Sequence, residues 1–150
     1  MAALRDESDR AEYQYRLKLY ESAVPYRDHS IFANLAASLL EQAKFVEAEP
    51  VARECLALRE KEIPDHWRAF NARSLLGGSL TGQKRYAEAE NFLLTGYAGM
   101  KQREDQIPAN AKFRVKEALQ RVIQFYEATG QSDKAAEWKQ KLAELDKTQK

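Results

Sequence analysis

The stretch QKRYAEAENFL at residues 83–93 repeats, at a spacing of 41 residues, the pattern of QAKFVEAEPVA at 42–52. A chain that writes one phrase twice at a fixed distance is assembled from copies of one supersecondary unit. The same offset of 41 maps Leu76 onto Leu35, Gly77 onto Ala36, Leu80 onto Leu39, Tyr86 onto Phe45, Ala89 onto Ala48 and Tyr97 onto Leu56. The copies also end alike, REKEIP at 59–64 against REDQIP at 103–108, now offset by 44, so three residues are inserted in the second. A third copy is fainter: Tyr126, Gly130 and Ala135 follow Leu80, Lys84 and Ala89 at an offset of 46. Half a copy precedes them all, because AEYQYR at 11–16 and DH at 28–29 map by 37 onto AEPVAR at 48–53 and DH at 65–66. The chain is therefore expected to open on the second helix of a repeat, as a fragment or a module with a shortened cap would.

The unit is helical. Gly and Pro number 6 and 4, and apolar residues recur three or four apart, as in Ile31, Leu35, Leu39 and in Val115, Leu119, Ile123, each series predicting a buried face. Breaks at Pro25, Pro64, Gly82, Pro108 and Gly130 predict seven helices, near 8–23, 29–42, 45–62, 66–82, 86–105, 110–128 and 132–146. Asp28 and Asp65 precede helix starts, where a carboxylate accepts orphan amide hydrogens. Pro50 falls near the first turn of its helix, where a missing amide costs least. The expected organisation is one domain over 1–150: a half repeat at 8–28, repeats at 29–65, 66–109 and 110–146, and a fraying tail at 147–150.

Charge and cysteine usage narrow the function classes. With 24 basic and 23 acidic residues the net charge is +1, so no global field recruits nucleic acid or an anionic membrane. No apolar run approaches the length of a membrane span, and no secretory leader is expected. A single cysteine, Cys55, excludes an internal disulfide and points to a reducing compartment, the cytoplasm.

Candidate chemistry resolves into packing and solvent exposure. Cys55 takes a small inward position of its helix and is expected to be a packed thiol. His29 and His66 are equivalent copies at helix starts, separated by a repeat rotation and without companion ligands, so no metal is expected. Glu47/Glu49 and Glu88/Glu90, two apart on a helix, diverge by about 200° and predict a solvated face rather than an acid–base pair. KFRVK at 112–116 lacks interleaved aromatics and reads as an exposed helix start. Gly77-Gly78 lacks the Lys-Ser/Thr ending of a phosphate loop and reads as a packing contact inside a helix. No catalytic residue and no cofactor follow from any of these.

The pattern of large and small residues resembles the tetratricopeptide repeat. Phe32, Leu35-Ala36, Leu39, Ala48 and Cys55 carry the resemblance in the first full copy. Leu76-Gly77, Leu80, Ala89, Leu93 and Gly96 carry it in the second, and Leu119, Val122, Tyr126, Ala135 and Leu142 in the third. The spacing exceeds the common period of about 34 residues and overlaps the HEAT range. YAEAE, LALREKEIPDHW and Asn-Leu-Ala at 34–36 look like the kinesin-light-chain-type subclass, which also occurs beside bacterial serine/threonine kinases and in other multidomain signalling proteins. The resemblance implies an all-α, right-handed α-solenoid of antiparallel hairpins and a non-catalytic scaffold that binds a protein or peptide in its concave groove. First-helix positions facing that groove would be Ser30, Ala33, Asn34, Ala37 and Leu40, then Asn71, Ser74, Leu75 and Gly78, then Glu117, Gln120, Arg121 and Gln124. Asn34, Asn71 and Gln124 would pair with guest main chain, Leu40 and Leu75 would offer apolar contact, and Arg121 would hold a carboxylate or phosphate. The alternative is a structural role, with weak homo-oligomerisation or docking through Tyr13, Leu17 and Tyr20 of the half repeat.

Overall fold

A computed structural model describes Gln14 and residues 30–148. Six α-helices follow one another: α1 (Ser30–Glu41), α2 (Phe45–Glu62), α3 (Trp67–Gly82), α4 (Tyr86–Gln102), α5 (Phe113–Ala128) and α6 (Ser132–Thr148). Two single 3-10 turns, Glu104–Gln106 and Ala109–Ala111, join α4 to α5, and no strand occurs among the described residues. The helix expected over 8–23 lies outside the described residues except for Gln14, which is helical and exposed. Asp28 and His29 also lie outside them.

Each hairpin bends on one residue with left-handed backbone: Ala43 (φ 57°), Lys84 (φ 61°) and Gly130 (φ 71°). These stand 41 and 46 residues apart, the offsets of the sequence repeat. In every copy the next amide reaches back five residues, Lys44 N–H to Leu39 O at 2.8 Å, Arg85 to Leu80 at 2.9 Å and Gln131 to Tyr126 at 2.9 Å. That residue's carbonyl then accepts the first amide bond of the following helix, from Ala48, Ala89 and Ala135 at 3.0, 3.1 and 3.0 Å. This is a Schellman closure written three times. The third copy, faint in letters, is the same in geometry.

Sequential helices pack antiparallel, and α1, α3 and α5 also touch in series, so they form one layer and α2, α4 and α6 the other. This is the all-α solenoid of helical hairpins that the repeat predicts. Its core joins Ala36, Val51, Cys55, Leu75, Leu80 and Leu93, all buried, and each fully buried leucine contributes about 1.5–3 kcal/mol. Ala48 and Ala89 are completely buried, as small residues at helix crossings must be. The closest crossing is at Gly96, where a Cβ would lie 2.8 Å from both Phe70 O and Ser74 N of α3. A second cluster of Trp67, Met100, Ile107, Val115 and Ala118 fills the base of the longer α4–α5 connection.

Several local expectations are corrected. Ile31 and Leu35 are 45 % and 38 % exposed, not a buried face, and α1 packs through Phe32, Ala33, Ala36, Ala37 and Leu39. Leu76, the counterpart of Leu35 in a helix with a described hairpin before it, is buried. The cap of α3 is His66 rather than Asp65: its backbone is extended and its Nδ1 accepts the Arg68 N–H at 3.2 Å. Burial, then the charges of Arg68 and Arg59, hold the His66 pKa below the usual imidazole value, which keeps that nitrogen an acceptor. Pro50 is the sixth residue of α2, past its first turn, so the Val46 carbonyl loses its usual i+4 donor. Helix α4 stops at Gln102 and α5 begins at Phe113, since Pro108 steers the preceding residue away from helical geometry. At the other end α6 continues to Thr148, beyond the expected 146, with Asp146 ion-paired to Lys116 at 2.8 Å.

Glu49 is not on a solvated face. It bridges consecutive repeats, pairing with Arg53 at 2.8 Å on its own helix and with Arg85 at 2.6 Å in the turn before α4. Gln83 Nε2 donates to it at 3.0 Å. Burial by itself would raise the carboxyl pKa, but hydrogen bonds from Arg53 and Gln83 and the charges of Arg53 and Arg85 outweigh it and hold Glu49 below its ordinary value of 4.5.

Two tests follow from the turns and this bridge. Ala43→Gly and Lys84→Gly should each raise stability by about 0.5–1 kcal/mol in urea denaturation, and Gly130→Ala should lower it by a similar amount. Nothing lies within 4 Å of a Cβ at Gly130, so a loss there reports backbone strain alone. Because the folded pKa of Glu49 is depressed, its contribution is present above 4.5 and is lost as pH falls through the lower folded value. Unfolding curves of Glu49→Gln should therefore show a shallower acid loss than wild type between pH ~5 and ~3.

Candidate functional site

The layer of α1, α3 and α5 is hollow on its outer side. Side chains from α1 and α5 converge above α3, although α3 lies between them, and this convergence makes the surface concave. Two adjoining cavities of about 520 Å³ and 280 Å³ occupy the hollow and share Asn34, Phe113 and Arg114 in their walls. Seven of the sequence-designated residues line the larger: Asn34, Ala37 and Leu40 from α1, and Glu117, Gln120, Arg121 and Gln124 from α5. Ser30 and Ala33 of α1 and Asn71 of α3 line the smaller. Ser74 and Leu75, designated as lining, are completely buried: Ser74 holds Arg121 from beneath, and Leu75 belongs to the core. Asn71, Ser74 and Leu75 stand at i, i+3 and i+4 on one face of α3, and that face is buried where the neighbouring helices pack on it, Asn71 included.

A chain of polar contacts crosses the hollow. Arg114 Nη2 donates to Asn34 Oδ1 at 2.7 Å, linking α5 to α1. Arg114 Nη1 meets Glu117 at 3.0 Å. Glu117 also faces Arg121 Nη2 at 3.5 Å, and Arg121 Nη1 donates to Ser74 Oγ at 3.1 Å, which ties α5 to α3. Arg121 is only 9 % exposed. Burial lowers its pKa to about 10, with the Glu117 carboxylate opposing the shift and the Arg114 charge adding to it. It remains charged at neutral pH, but its guanidinium is already engaged.

Asn71 is 3 % exposed, and its Oδ1 is a buried acceptor with no hydrogen-bond partner among the described residues. Such an atom normally costs about 1–3 kcal/mol. Arg59 and Arg68 flank it in the smaller cavity, Arg59 Nη1 donating to the Arg68 carbonyl at 2.7 Å. Sequence reasoning passed over Phe113 and Arg114, which it placed on an exposed helix start. Phe113 is 51 % exposed in the shared wall, and the signal was its isolation as a large apolar residue between Lys112 and Arg114.

The groups in this hollow are amides, guanidinium ions, a carboxylate and one exposed ring, a set suited to holding and orienting a polar chain. Away from it, Cys55 is buried and burial pushes its thiol pKa up. Among the described residues no group of three His, Cys, Asp or Glu gathers as metal ligands, and no helix is long and apolar enough to cross a membrane.

A family model described as tetratricopeptide repeat matches residues 30–68, which span α1, α2 and the turn into α3. The first described hairpin is thus of that repeat type. No curated protein matches the chain.

Depth in the wall predicts which substitutions touch folding. Leu75→Ala should cost about 2–5 kcal/mol in chemical denaturation, as fully buried leucines do. Asn34→Ala, at an exposed position, should stay within about 0.5 kcal/mol of wild type.

Proposed function

From a first hairpin of tetratricopeptide type, we propose that this chain is a non-catalytic interaction module that holds an extended segment of a partner protein along the hollow of α1, α3 and α5. The observation that carries this reading is the pair of adjoining cavities edged by the exposed amides of Asn34, Gln120 and Gln124. Each amide offers a donor and an acceptor, the complement of an extended main chain. Leu40 and Phe113 supply apolar contact at the rim, a role that Leu75 leaves vacant by packing inward. Few anchors of this kind give weak to moderate affinity. In the wider reading, the three repeats with their N-terminal half repeat serve as one domain of a cytoplasmic signalling or scaffold protein of the kinesin-light-chain-like subclass.

A second reading, docking or self-association through the half repeat at 8–28, draws on exposed Ile31 and Leu35, which a preceding helix or a second copy would cover. The two readings separate in one experiment. Peptides selected from a display library against the wild-type chain are titrated into two variants. Asn34→Ala/Gln120→Ala/Gln124→Ala should weaken them severalfold or more with an unchanged melting temperature, while Ile31→Ser/Leu35→Ser should bind as wild type. The reverse pattern would move the interface to the α1 flank and sink the groove assignment.

A further inference from the structure

The groove carries its own carboxylate. Glu117 sits one turn beyond Arg114 and one turn before Arg121 on α5, with a side chain 23 % exposed in the wall of the larger cavity. Among the described residues it is the carboxylate ion-paired with either guanidinium. Its contact with Arg114 is ordinary and its contact with Arg121 is long. Oε1 and Oε2 lie 3.0 and 3.5 Å from Arg114 Nη1, and Oε2 lies 3.5 Å from Arg121 Nη2. By contrast, Glu49 pairs with Arg85 at 2.6 Å, and charge-assisted pairs of good geometry close to about 2.7–2.9 Å. Glu41, on the α1 wall, makes no ion pair with Arg121 among the described residues. Two guanidinium ions, one of them nine-tenths buried, therefore share one carboxylate, which lies 3.5 Å from the buried one, beside an open space of about 520 Å³. Burial is the first cause of the lowered Arg121 pKa, and the charges of Glu117 and Glu41 oppose it without cancelling it.

We infer that Glu117 is an internal stand-in for a partner's carboxylate: it occupies the Arg114–Arg121 pair, and an acidic side chain of the bound segment takes its place. This rests on the groove reading and adds to it a specificity rule. An acidic guest must displace Glu117, whose partly exposed side chain moves toward solvent, whereas a neutral guest leaves the triad closed. Glu117 thus attenuates binding of acidic segments and keeps the buried Arg121 and the half-buried Arg114 partnered when the groove is empty, since an unpaired buried charge is strongly destabilising. The Arg114–Asn34 bond is made by the other nitrogen of the guanidinium and survives the exchange.

The test uses the full chain and two probe peptides, Ac-Ala-Leu-Glu-Leu-Ala-amide and the same peptide with Gln at its centre. Binding is followed by NMR on the side-chain amides of Asn34, Gln120 and Gln124, with thermal melts in parallel. Glu117→Gln should raise the preference for the Glu peptide over the Gln peptide about three- to tenfold, the change expected for uncovering one charge-assisted contact. Glu117→Asp, which keeps a shorter carboxylate, should raise it less, and it supplies the readout should the Gln variant melt too low. A preference unchanged from wild type in both variants, or an equal gain for both peptides, overturns the inference while leaving the groove standing. Failure of either peptide to move the three amides in any of the proteins overturns the groove reading and this inference with it.

Discussion

The left-handed residue in each turn is the constraint on which the rest of this molecule depends. Reversing a helix within three residues requires a positive φ, and the chain places one at Ala43, Lys84 and Gly130. Once the turn closes through its five-residue bond, the next helix begins at a fixed angle, and Ala48, Ala89 or Ala135 arrives at the crossing with the helix before it. Only small side chains are tolerated there. The Glu-Ala-Glu phrase therefore recurs because one turn geometry presents the same position to the same neighbour each time.

The hollow follows from that repetition. Stacked hairpins place α1, α3 and α5 side by side, and across α3 side chains 80 residues apart in sequence come into contact, as Asn34 and Arg114 do. The wider α4–α5 connection adds Trp67, Ile107 and Val115 as a separate apolar base, so α5 is set firmly enough to hold a buried guanidinium against Ser74. Most of the polar chemistry of the hollow is carried by α5 through Arg114, Glu117 and Arg121, while α3 provides its floor.

Among the described residues, the three hairpins, their helix order and the small residues at crossings were legible in the sequence, because each is fixed by local periodicity or by the offset between copies. Depth was not legible. Leu75 and Asn34 hold analogous register positions, yet one is in the core and the other on the rim, since exposure depends on how far neighbouring helices lean over a position. Capping by His66 was hidden because a neutral imidazole is a rarer cap than the Asp65 beside it, and its accepting nitrogen is secured only by burial and two arginines. Arg114 escaped notice for a related reason: it lies at the first turn of α5, and its partners Asn34 and Glu117 come from tertiary folding and helix pitch together.

The bridge at Glu49 also gives the stack a direction. Glu90 occupies the same place one repeat later, but the residues equivalent to Gln83 and Arg85 are Thr129 and Gln131, and the cation is gone. In an array whose stability is a sum of repeat and neighbour terms, the first junction is thus cross-linked by charge, while the second relies on aromatic packing such as Tyr97 against Trp138 at 5.2 Å. Such an asymmetry is expected to let the α5–α6 hairpin open before the others under thermal or mechanical load. Since α5 carries the arginines, loosening that end would dismantle the hollow while the hairpins of α1 to α4 remain folded, so binding capacity and bulk helicity need not be lost together.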